Sequence, residues 1–170
     1  MPSKKNADKP SAAEYNAIRA TTLTNVLDIK HNGYGFACLS PPICTEKYVP
    51  CADEALQFLR SVAADAATKC PEMLVFTIVS CGANEPDQES SLESVLVLVC
   101  GPSEVNGHEL VKTILAATTE TDTVNGVIYR HPCDEAFKKV SEVSARIFAA
   151  MKKTKLYVEE EEEDVYNMDF

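Results

Sequence analysis

Two stretches constrain this chain more than any others. Residues 73–79, Met-Leu-Val-Phe-Thr-Ile-Val, and 95–100, Val-Leu-Val-Leu-Val-Cys, are almost unbroken in apolar side chains. A strand covered on one face alternates apolar and polar positions. A continuous run implies burial on both faces, and so a central strand in a layered sheet. Helix-period segments surround these runs, which predicts an α/β (or α+β) fold with helices on one or both sheet faces.

The best helix reading is 52–69. Ala55, Leu59, Val62 and Ala66 form one stripe, Asp53 and Glu54 open it, and Lys69 closes it before Pro71. Residues 107–118 carry Leu110, Val111, Ile114 and Leu115 at helical spacing. Residues 132–153 read as the longest helix, with Phe137, Val140, Ile147 and Met151 on its stripe and Pro132 at its first position. Ser11 and Glu14 form a capping box for a short first helix. The β-branched run Thr21, Thr22, Thr24 then predicts a strand over 23–30. Asn32-Gly33 predicts a hairpin into a second strand, 34–39, which Pro41 and Pro42 end. With a last strand from Val127, the expected order is α-β-β-α-β-β-α-β-α around one mixed five-stranded sheet.

The charge is uneven. The 170 residues hold 26 acids and 16 Lys or Arg, for a net −10. Residues 158–170 contribute seven acids and no base, whereas residues 11–150 hold 18 acids and 10 bases. The body is therefore acidic without its tail. Nucleic-acid grooves and anionic membrane surfaces call for clustered Lys and Arg, so both are disfavoured as ligands. A protein partner with a basic surface is the expected kind. The division predicted is a basic disordered arm at 1–10, one domain at 11–155 and an acidic disordered tail at 156–170.

Lys4, Lys5 and Lys9 have no apolar stretch behind them, so the start does not read as a secretory signal. Seven cysteines, an odd number with no C-x-x-C pair, do not suit a secreted disulfide framework or a zinc ribbon. Reduced thiols in the cytoplasm or nucleus are expected. No cofactor and no metal site is expected, since His31, His108 and His131 show no ligand spacing.

Four places carry the chemical candidates. The run Arg130-His131-Pro132-Cys133-Asp134-Glu135 joins a strand to a helix. A helix N-terminus lowers a thiol pKa, so Cys133 is a candidate nucleophile with His131 as its base. The adjacent acids oppose that thiolate. The second is Cys100-Gly101-Pro102-Ser103, followed by His108, a turn that lacks any phosphate-loop pattern. The loop serines Ser90 and Ser91 before Glu93 are a third, for an acid-directed kinase. The fourth is the tail. Glu159, Glu160, Glu161, Glu162, Glu163 and Asp164 precede Tyr166, Met168 and Phe170. Apolar side chains beside acids suit docking into an apolar groove with a basic rim. The expected function is a non-enzymatic protein-interaction or complex-assembly domain. The alternatives are a thiol-dependent transferase or hydrolase using Cys133 and His131, and a structural subunit of a larger complex.

Overall fold

A computed structural model describes residues 10–45, 48–82, 93–101, 107–115, 119–122 and 125–153. Among them the chain runs α1 (Ala12–His31), β1 (Phe36–Leu39), α2 (Ala52–Lys69), β2 (Leu74–Cys81), β3 (Ser94–Cys100), α3 (Gly107–Leu115), β4 (Thr119–Asp122), β5 (Val127–Pro132) and α4 (Ala136–Met151). The protein is mixed α/β with a single mixed sheet, ordered β1-β2-β3-β5-β4. β1 and β2 are parallel, and the other pairs are antiparallel. The long crossover through α2 is what permits the parallel pair.

The two apolar runs occupy the positions their composition demands. Every residue of β2 and β3 is buried. One face, with Val75, Val79, Leu96, Leu98 and Ile128, packs under α1 and α2. The other, with Phe76, Ile78, Val95, Val97 and Tyr129, packs under α3 and α4.

The first part of the chain departs from its expected order. Residues 23–30 are helical, not a strand, and belong to α1. Tyr15, Ile18, Thr22, Val26 and Ile29 recur at three- and four-residue steps and turn towards the core. Tertiary packing of that stripe outweighs the modest β preference of the threonines. The Thr22 hydroxyl donates to the Ile18 carbonyl one turn back, which removes the polar cost of burying it. Asn32-Gly33 is accordingly a helix stop and not a hairpin turn. Gly33 N–H reaches the Lys30 carbonyl and Tyr34 N–H the Ile29 carbonyl, with Gly33 at φ +97°. That is the Schellman arrangement, which favours glycine because a Cβ resists positive φ. A strand that the periodicity does not announce, β4, pairs along the outer side of β5. The observed order is thus α-β-α-β-β-α-β-β-α.

Arg19 ties α1 to α2. Its Nε and Nη2 donate to the two carboxylate oxygens of Asp65 at 2.7 and 2.8 Å. This two-pronged geometry fixes the helix pair in register more firmly than a point charge does.

Candidate functional site

The strand-to-helix junction after β5 is where the thiol candidate sits. Pro132 is the last residue of β5, so the helix starts later than its proline suggests, at Ala136. Glu135 precedes it in the left-handed region at φ 56°. The first amide of α4 is already used: Ala136 N–H donates to Glu93 Oε1 at 2.9 Å. The Cys133 N–H donates to the Glu93 carbonyl. Cys133 is partly buried against the α4 side of the core. Desolvation pushes its thiol pKa up, Glu93 and Asp134 add to that, and only Lys139 and a backbone hydrogen bond oppose it. His131 stands in β5 opposite Val95. A raised thiol is the reverse of what a nucleophile needs.

None of the seven cysteines is in a disulfide, and burial raises the thiol pKa of several. Cys38 is pushed up to about 11, and Cys81 and Cys100 to about 12. Their neutral forms are favoured by the fold, so this stabilisation is intact below the unfolded thiol pKa and is lost as pH rises towards 12. Alkylation at pH 7–8 should therefore spare Cys38, Cys81 and Cys100 and modify Cys133 more slowly than a free model thiol. Peptide mass mapping against time checks this, and Cys133 outpacing the model thiol would restore the nucleophile.

Among the described residues, no group of three or more His, Cys, Asp or Glu side chains is placed to hold a metal ion. His108 Nδ1 lies 2.9 Å from the hydroxyl of buried Tyr129, a contact between α3 and β5. Pro102, Ser103 and Glu104 lie outside the described residues, as do Ser90, Ser91 and the tail candidates Glu159 to Asp164, Tyr166, Met168 and Phe170. No helix among the described residues is long and apolar enough to cross a membrane.

A different place gathers more features. β1 spans four residues against eight in β2, and their pairing ends at Leu39 opposite Thr77. Leu74 N–H reaches the Gly35 carbonyl and Gly82 N–H the Pro50 carbonyl. Alternation along the strand therefore turns the main-chain groups of Phe76, Ile78 and Ser80 towards the same side. β1 serves Phe76. The Ile78 carbonyl would next receive an N–H from residue 41, but Pro41 has none. Ser80 has no main-chain partner on that side among the described residues. Its side-chain Oγ is likewise buried with no hydrogen-bond partner, although Ser80 is only 2% exposed. An unpaired buried polar group is costly, on the order of 1–3 kcal/mol.

These groups border a groove of about 920 Å³. Pro41, Pro42 and Cys44 form one wall, and Phe137 and Val140 of α4 form the other. Ile78, Val79 and Ser80 are the floor, and Lys138 is the one charged lining residue among those described. Phe137 is 47% exposed and Phe148, further along α4, is 43% exposed. Glu54 anchors the far end of the loop that walls the groove: it accepts hydrogen bonds from Tyr15, Tyr48 and the Cys51 N–H. Burial and that carboxylate push both tyrosine pKa values upward. The sequence carried one trace of this site, the Pro41-Pro42 pair directly after a short strand.

No protein-family model matches the chain, and no curated protein matches it.

Proposed function

We propose that this chain is a non-enzymatic protein-interaction domain, working as a subunit or assembly factor of a larger complex. Its contact site is the groove between the end of β2 and the first turns of α4. The observation that carries this reading is the groove of about 920 Å³, with Pro41, Pro42 and Cys44 on one side and an exposed Phe137 on the other. An apolar groove with an exposed aromatic at its rim takes a partner's apolar side chains and excludes water around them. A partner with a basic surface suits the acid run from Glu159 to Asp164, with Tyr166, Met168 and Phe170 as its apolar contacts. Cytoplasm or nucleus is the proposed setting, with neither nucleic acid nor membrane as the direct ligand. The thiol-dependent alternative through Cys133 and His131 has less support, because the carboxylate of Glu93 holds the helix amide and the thiol pKa is raised.

Quantitative affinity capture with the full chain tests the groove. Phe137→Asp combined with Lys138→Glu should reduce specifically captured partners about tenfold, roughly 1.4 kcal/mol. Both side chains are exposed, so the unfolding midpoint should stay within a few degrees. A captured set that does not change removes the groove from the interaction.

A further inference from the structure

We propose that two copies of this chain pair through one side of α4, antiparallel, around a two-fold axis between Ser141 and Ser144. The inference stands apart from the groove reading, although Phe137 borders both surfaces.

The surroundings of α4 single out that side. Ala136, Val143, Ile147 and Met151 turn towards the sheet and are buried. Arg146 lies about a quarter turn further round and reaches the Ile114 carbonyl of α3. Phe137, Ser141, Ser144 and Phe148 fall within about 60° of arc on the side away from α3. They stand over β1, which ends the sheet, so among the described residues no strand lies beyond them. The Ser144 Oγ is 3.6 Å from the Cys38 Sγ, and the Phe148 and Phe36 rings are 5.8 Å apart. Phe137 and Phe148 are the large apolar side chains exposed among the described residues, and both belong to this stripe.

The pattern of the stripe selects its occupant. Steps of four, three and four residues separate Phe137, Ser141, Ser144 and Phe148. The order of aromatic and serine is the same from either end. A two-fold interface has to be complementary to itself, and this stripe is. In an antiparallel pair Phe137 of one copy meets Phe148 of the other, and the serines face each other at the axis. Steps of four and three are also the repeat by which helices pack side by side. The small serines let the two main chains approach, while aromatic pairs close both ends of a contact about 16 Å long.

Charge and size set the strength. Each copy carries −10, and Lys138 and Lys152 flank the stripe, with Lys152 over the Phe148 ring at 5.7 Å. The copies therefore repel one another while the stripes attract. One side of one helix is less than the roughly 800 Å² that a standard interface takes from each partner, so the dissociation constant should be on the order of 100 μM.

Sedimentation of the full chain at rising concentration tests this. The unaltered chain should pass from monomer to dimer between about 10 μM and 1 mM. Raising the salt from about 0.02 to 0.5 M should tighten the pairing roughly threefold, because only repulsion is screened. Phe148 lies outside the groove, so Phe148→Ser should weaken the pairing at least about tenfold and leave partner capture unchanged. An equimolar mixture of Phe137→Cys and Phe148→Cys chains should form a covalent dimer in glutathione disulfide. Either variant alone should not, because an antiparallel pair holds like positions about 16 Å apart. A chain that stays monomeric at about 1 mM overturns the proposal. So does pairing that salt weakens, or a covalent dimer from either variant alone at the yield of the mixture. A monomeric chain together with lost capture in the Phe137 and Lys138 variant removes this inference and leaves the groove reading standing. Pairing of the unaltered chain together with unchanged capture in that variant removes the groove reading and keeps the pairing.

Discussion

Phe76→Ala should lower the unfolding free energy by about 3–5 kcal/mol. Phe76 is fully buried at the middle of β2. Its ring belongs to the core under α3 and α4, and it lies against Gly107 at the start of α3, where an added Cβ would come within 3.3 Å of it. Truncation removes a large apolar surface and leaves a cavity between two rigid layers that cannot collapse onto it. The unfolding midpoint should fall on the order of 10 °C. Denaturant titration checks the result, with an unchanged slope showing that the lost quantity is stability and not compactness. A loss below about 1 kcal/mol would mean that α3 and α4 do not close over this face.

Gly101→Ala should cost about 3 kcal/mol or more, for a different reason. Gly101 directly follows β3 at φ +114°, and a Cβ there would stand 2.0 Å from the Met73 carbonyl oxygen. Both objections come from main chain, which cannot swing aside as a side chain can. Relief requires the entrance of β2 to move away from the exit of β3. Gly33→Ala is the internal control. Gly33 also has positive φ, but nothing lies within 4 Å of its would-be Cβ. It should cost only the conformational term, about 1 kcal/mol. Similar losses at the two positions would show that the tight approach at Gly101 does not contribute.

The central strands were legible because their composition admits few alternatives. A short run rich in β-branched valine, such as 95–100, suits a doubly covered strand better than a helix. The stripe of α2 and its bounds were equally plain, since an amphipathic repeat, first-turn acids and a following proline agree. Residues 23–30 were misread because local β preference and Asn-Gly both point to a hairpin. The deciding quantity was the burial of Val26 and its neighbours against α2, a tertiary effect. Asn-Gly marks positive φ in either structure, and only the hydrogen bonds around it separate a turn from a helix stop. The start of α4 slipped by a turn because Pro132 also suits the end of a strand. Of the groove, two prolines were visible. The missing N–H matters only once the β1–β2 register is known, and register between strands joined by a long crossover is not written locally.

The position of α4 bears on how the protein is made. This helix closes the face of the sheet that carries Phe76, Ile78 and Val97, yet it is the last described element of the chain. On a ribosome, β2 and β3 emerge long before it. One face of the sheet can pack early under α1 and α2, while the other is covered only by the nine residues of α3 until synthesis reaches Met151. Such exposed apolar surface is what chaperones bind and what drives aggregation of unfinished chains. Chains cut short before α4 should therefore be insoluble wherever they are released, even though every strand of the sheet is already present in them.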